Sequence, residues 1–105
     1  MFDDAVIAEA GRRLLEAAPA GTRVILFGSH ARGEAGKHSD LDFLVIEPTV
    51  EDVVKETYRL RCALDDLDVF ADIVLVTQHE AEQWGEVQST VIHEALTEGR
   101  RLLAA

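Results

Sequence analysis

Segments in which apolar residues recur at helical spacing alternate along the chain with short apolar runs typical of β-strands. Three short runs rich in β-branched and aromatic residues predict buried strands, at 23–27, 41–46 and 72–76. Apolar residues recur at helical spacing in three longer segments, at 4–18, 50–66 and 77–98, and a last apolar run predicts a short strand at 101–103. This order predicts a single small α/β domain spanning 1–105, in which helices flank a mixed β-sheet of three to four strands.

Capping residues support the helix boundaries. Thr77 and Glu80 form the pattern of a capping box, and Thr49 with Asp52 resembles one. Gly85 can interrupt the last helical segment. We therefore expect helices to begin close to Thr49 and Thr77.

The second predicted strand differs in character between its start and its end. Because alternate strand residues share a face, Asp40 and Asp42 lie on the side of Leu44 and Ile46. The other face carries only apolar residues, at positions 41, 43 and 45. We expect a strand that is covered on both faces and open to solvent only at its beginning.

Composition narrows the classes of function. The chain has 105 residues and a formal net charge of -10, which argues against direct nucleic-acid binding because that binding depends on phosphate neutralisation by basic residues. A single cysteine rules out an internal disulfide. The N-terminus lacks the pattern of a signal peptide and no apolar run is long enough to span a bilayer, so we expect a cytoplasmic protein without membrane contact.

The candidate chemistry lies in one glycine–serine turn and three aspartates. Gly28 and Ser29 end the first strand, where backbone N–H groups and a hydroxyl can approach phosphate. Asp40 and Asp42 follow after ten residues, and Asp72 opens the next strand. If the two strands are neighbours, the three carboxylates converge and can hold two Mg²⁺ ions, as nucleotidyl transfer requires. Arg32 lies between the two motifs and can contact a triphosphate or an acidic partner, or be simply solvated.

The segment 28–45, GSHARGEAGKHSDLDFLV, resembles the signature of the minimal nucleotidyltransferases, the MNT branch of the polymerase β-like superfamily. The third carboxylate of that family matches Asp72, and the resemblance covers nearly the whole chain. His30 stands where many relatives have a larger basic residue.

The resemblance implies a mixed-sheet α/β fold that uses Mg²⁺ and a nucleoside triphosphate, usually ATP. Carried over to this sequence, Gly28 and Ser29 hold the triphosphate, Asp40 and Asp42 bind the metal ions, and Asp72 is the third ligand, which activates the attacking hydroxyl. Members of this kind often resemble antitoxins of HEPN-domain ribonuclease toxins. The implied reaction is transfer of AMP from ATP to a hydroxyl group on that toxin, within a hetero-oligomeric complex.

Two alternatives remain open from the sequence. The chain can be a binding module that neutralises its partner by occlusion, with a weak or vestigial nucleotide site. It can also modify a small molecule, although related enzymes with that activity have extra helices that close over the acceptor, and this chain has none.

Overall fold

A computed structural model describes residues 4–27, 41–67, 71–85 and 91–102. The helices are α1 (Asp4–Ala17), α2 (Val53–Cys62), α3 (Gln78–Trp84) and α4 (Val91–Glu98), with a 3-10 turn at Asp65–Leu67. The strands are β1 (Arg23–Phe27), β2 (Leu41–Glu47), β3 (Ala71–Thr77) and β4 (Arg100–Leu102). The predicted strands are confirmed, the last of them one residue earlier than expected. The turn and short helix predicted over 29–36 lie outside the described residues.

The four strands form one mixed sheet with the order β3-β2-β1-β4. β1 is antiparallel to both β2 and β4, whereas β2 and β3 are parallel. Two parallel strands cannot be joined by a hairpin, so the chain crosses back through α2. This crossover makes β2 and β3 start at the same edge of the sheet.

Both faces of the sheet are covered, as the sequence predicts. Leu41, Phe43 and Val45 belong to a core cluster with Leu14 of α1 and Leu60 of α2. On the opposite face, the cluster includes two residues of β2 and one each of α3 and α4, namely Leu44, Ile46, Ala81 and Ala95. Because β2 is buried on both sides, it reads as a nearly continuous apolar run.

Helix α2 differs from its prediction. It begins at Val53, because the side chain of Asp52, rather than that of Thr49, accepts a hydrogen bond from Lys55 N at 3.1 Å. The helix ends at Cys62, before a separate 3-10 turn. Val53 and Val54, two residues of the predicted apolar stripe, are 51% and 79% exposed, so that stripe is only partly buried.

The C-terminal boundaries agree better with the sequence. The capping box is present, with Glu80 N donating to Thr77 Oγ1 at 3.1 Å and Thr77 N donating to Glu80 Oε1 at 3.0 Å. Helix α3 ends at Trp84, with Gly85 as its cap, which confirms the predicted interruption.

Gly99 closes the packing of α4 on the sheet. A Cβ atom at this position would lie 2.2 Å from the carbonyl oxygen of Ala95 and 2.4 Å from Ile25 Cγ2. Only glycine allows this approach of the turn to β1. Within the described ranges, no helix is both long enough and apolar enough to cross a membrane.

Candidate functional site

Asp42 and Asp72 lie side by side in the sheet. They are Cα partners in the parallel ladder between β2 and β3, and Phe27, the last residue of β1, is the antiparallel partner of Asp42. Adjacent strands are ~4.8 Å apart, and partners across a ladder project to the same side. The predicted convergence of these two carboxylates is therefore present in the backbone geometry.

This row, which we call the carboxylate row (Phe27, Asp42 and Asp72), occupies the open edge of an otherwise apolar face. Along β2 and β3, the residues that follow on the same face are apolar, at positions 44, 46, 74 and 76. Asp42 is partly buried and Asp72 is exposed. Solvent and ligands can thus reach the row, whereas the rest of the face is closed by α3 and α4.

The donor set of the row fits a hard divalent cation. Two carboxylates on one side of neighbouring strands repel each other, and a cation between them offsets that repulsion. Mg²⁺ prefers oxygen ligands and is commonly bound through one or two carboxylates together with substrate phosphates. In the described part of the chain, no cluster of three or more acidic, histidine or cysteine side chains forms a metal site. Asp42 and Asp72 alone would therefore need a further ligand.

The remaining predicted site residues, Gly28, Ser29, Arg32 and Asp40, lie outside the described residues. Two of them adjoin described positions in the sequence. Gly28 directly follows Phe27, where β1 ends at the carboxylate row, and Asp40 directly precedes Leu41, the first residue of β2. Their assignment as phosphate and metal ligands remains a prediction.

A second acidic cluster, which the sequence analysis did not identify, lies at the other end of β2. We call it the buried pair: Glu47, only 1% exposed, and Glu56 of α2, which lines the same cleft. Among the described residues, Glu47 Oε2 is buried without a hydrogen-bond partner. A charged residue at the fourth position of the apolar face, after Leu41, Phe43 and Val45, is the signal in the sequence that could have revealed it.

Arg59 of α2 binds Glu56 on its own helix and also the end of α1. Its Nη2 lies 2.6 Å from Glu56 Oε2, and its Nη1 donates to the carbonyl oxygen of Ala17 at 2.5 Å. Burial, followed by the contact with Glu56, raises the pKa of Glu47 to about 7. The hydrogen bond from Arg59 lowers the pKa of Glu56. The pair borders an open cleft of about 370 Å³ between the end of α1 and the start of α2.

The chain was compared with protein families and with curated proteins. A family model described as a nucleotidyltransferase domain matches residues 7–96. A search of curated proteins finds no match.

Several solved structures share the fold. A chain of a toxin–antitoxin complex with AMP-PNP has a TM-score of 0.65 and 20% identity, and the alignment covers 93% of this chain and 73% of that one. A chain of a mutant MntA–HpeT toxin–antitoxin complex has a TM-score of 0.60 and 16% identity, with 100% and 75% covered. A chain of a complex between tri-AMPylated Shewanella oneidensis HEPN toxin and MNT antitoxin has a TM-score of 0.50 and 20% identity, and the alignment covers 89% of this chain and 66% of that one.

The family match extends over most of the chain, and the carboxylate row lies within it. The architecture agrees with the match, since the mixed sheet and flanking helices are those of the related structures. This chain therefore belongs to the nucleotidyltransferase domain family.

Proposed function

We propose that this protein is a Mg²⁺-dependent nucleotidyltransferase that moves AMP from ATP to a hydroxyl group on a partner protein, and that it is the antitoxin of a HEPN ribonuclease toxin. The observation that carries the proposal is the register pairing of Asp42 with Asp72 at the solvent-accessible edge of the sheet. Paired carboxylates at this edge, next to the end of β1, are what transfer of a nucleotidyl group needs.

The residues have distinct roles in this reaction. Asp42 and Asp72, with Asp40, would hold Mg²⁺, while Gly28, Ser29 and Arg32 bind the triphosphate. When bound, Mg²⁺ neutralises charge on the triphosphate and on the leaving pyrophosphate. The acceptor oxygen forms a bond to the α-phosphorus, the bond to the bridging oxygen breaks, and pyrophosphate leaves with that electron pair. Asp72 accepts the hydroxyl proton.

The related complexes support the choice of nucleotide and partner. One contains AMP-PNP, an ATP analogue, and another contains a HEPN toxin that carries AMP groups. The net charge of -10 is compatible with docking on a basic, RNA-cleaving protein.

The test is a transfer assay on the tagged full-length chain with the proteins that co-purify from its native host. The complex is incubated with Mg²⁺ and ATP labelled at the α-phosphate. We expect label on the partner, lost in Asp42→Asn and Asp72→Asn. Asp65→Asn is the matched control, because it removes an exposed aspartate outside the carboxylate row. Transfer that persists in Asp42→Asn at the wild-type rate would contradict the proposal.

A second candidate function is neutralisation of the partner by occlusion alone. The net charge of -10 favours it, because charge complementarity with a basic partner speeds association and needs no nucleotide site. The same complex distinguishes the two functions. If the aspartate variants bind the partner and still neutralise it, occlusion is the mechanism. If they bind it and no longer neutralise it, transfer is required.

A further inference from the structure

Glu47 is the most deeply buried charged residue in the described part of the chain, and the proposed reaction does not use it. It ends β2, five positions after Asp42 and therefore on the opposite face of the sheet. The residues around it belong to the cluster packed under α1 and α2. A carboxylate with a buried, unpartnered oxygen is costly unless it is protonated or compensated.

The charges that face Glu47 only partly compensate it. On α2, Glu56 and Arg59 line the same cleft as Glu47, and Arg59 is bound to Glu56. Lys55 on α2 and the acidic residues Glu51 and Asp52 before it line the same cleft. From α1, the neighbouring group is the Ala17 carbonyl, which Arg59 already occupies. From the sheet, the ladder partner of Glu47 is the uncharged Thr77.

We propose that Glu47, Glu56 and Arg59 form a proton-dependent clasp that holds α2 against the sheet, closed while one proton is shared between the two carboxyl groups and loosened when that proton is lost. In the closed state the Glu47 carboxyl is neutral and donates to Glu56, while Glu56 stays charged and holds Arg59. Arg59 then joins α2 to the end of α1. Loss of the proton leaves two adjacent carboxylates at a buried position with only one arginine.

The clasp lies on the helix that connects the two strands of the carboxylate row. Helix α2 is the crossover between β2 and β3, the strands that carry Asp42 and Asp72. Loosening α2 therefore acts on the connection between the two halves of the carboxylate row. The clasp is independent of whether the row transfers AMP, because it depends only on the packing of α2.

The test is amide hydrogen exchange of the full-length protein, expressed as protection factors so that the intrinsic pH dependence of exchange is removed. Protection of α2 amides is compared with that of α4 at about pH 5.5 and about pH 8. If the open state has an ordinary glutamate and the closed state one that titrates near 7, we expect protection in α2 to fall by up to roughly 30-fold. Protection in α4 should change much less.

Variants assign the effect to the clasp. Glu47→Gln keeps the size and a donor for Glu56, so α2 protection should become nearly independent of pH. Glu16→Gln, an exposed glutamate on α1, is the matched control and should behave as wild type. A wild-type fall that persists in Glu47→Gln, or no fall in the wild type, overturns the proposal.

If Glu47→Gln does not fold, the clasp is tested with Glu56→Gln, by the pH at which α2 protection falls. Removing the Glu56 charge takes away the repulsion on Glu47, so the midpoint of the fall should move to lower pH. An unchanged midpoint would overturn the clasp.

Discussion

The two ends of β2 each carry a carboxylate, in opposite environments. Asp42 at the start is partly accessible and has a second aspartate, Asp72, as its ladder partner. Glu47 at the end is buried, with an unpartnered oxygen. The strand is the same, so the difference comes from what covers each end: the start faces solvent, and the end lies beneath α2.

The acidic residues at the two ends of β2 are compensated in different ways. A pair of carboxylates in contact with solvent can recruit a cation, which compensates their repulsion only when it is bound. A carboxyl group as deeply buried as that of Glu47 is instead stabilised when it keeps a proton. We therefore expect substitutions at the start of β2 to affect chemistry, and substitutions at its end to affect stability.

The largest expected effect is on catalysis. Asp42→Asn should lower AMP transfer by roughly 10³-fold or more, because metal-assisted charge stabilisation is worth several kcal/mol in the transition state. Glu47→Gln should leave the transfer rate within a few-fold of wild type at a pH near 6, where Glu47 is mostly protonated. Rates are measured from initial label incorporation. A comparable loss of AMP transfer in both variants would contradict the different roles of the two ends of β2.

The next effect is on the pH dependence of stability. The pKa of Glu47 is raised from 4.5 to about 7, so the folded state holds this proton more tightly than the unfolded state does. Its stabilising contribution is complete below pH 4.5 and is lost as the pH rises through about 7. The free energy of unfolding should fall by up to about 1.4 kcal/mol per pH unit within that window.

Urea titrations across this pH range measure the slope. Glu56 and Glu9 have lowered pKa values, through hydrogen bonds from Arg59 and Arg12, so their contributions are lost on acidification and lie outside this window. Glu47→Gln should remove most of this slope. A slope that persists unchanged in Glu47→Gln would contradict its assignment to this residue.

A smaller effect is expected from Arg59, which holds α2 to the end of α1. Arg59→Ala should destabilise the protein by about 1–2 kcal/mol, because it removes the hydrogen bond to the Ala17 carbonyl and leaves Glu56 without its cation. Arg59→Lys keeps the charge but not the forked geometry, so it should restore only part of the loss. Chemical denaturation at about pH 6 checks both, at a pH where Glu47 stays protonated. Full restoration by lysine would mean that charge alone matters.

The smallest effect is expected at Thr77, the ladder partner of Glu47. Thr77→Ala removes the side-chain acceptor of the capping box of α3 and should cost about 1 kcal/mol. Thr77→Ser keeps the acceptor and is the control. Because the cap is uncharged, its loss should be the same on both sides of pH 7. A pH-dependent loss would show that the cap and the buried pair are coupled.

Much of the fold could be predicted from local patterns. The strands β1, β2 and β3 are compact apolar runs bounded by polar or small residues, and the two-residue alternation in β2 indicated which side carries Asp42. The pairing of Asp42 with Asp72 needed only the assumption that their strands are neighbours. The strand positions and the side-chain alternation depend on residues close together in the sequence, whereas the pairing depends on that assumption.

One error was local: Thr49 and Asp52 can both cap a helix, and α2 begins after Asp52. The other features that the local patterns did not predict depend on distant segments. The burial of Glu47 depends on α1 and α2 meeting above it. The bond between Arg59 and Ala17 joins residues 42 positions apart, a contact that no local pattern encodes.

The position of the bound divalent cation can be measured by NMR with Mn²⁺ in place of Mg²⁺ and a non-hydrolysable ATP analogue. Paramagnetic broadening of amide NMR signals falls steeply with distance from the ion. The end of β2 at Glu47 lies about 16 Å along the strand from Asp42, which is far enough to resolve the two ends. We expect Phe27, Asp42 and Asp72 to broaden first, and Glu47 and Thr77 to change least. Broadening that begins at Glu47 and Glu56 instead would contradict the assignment of the carboxylate row as the site of nucleotidyl transfer.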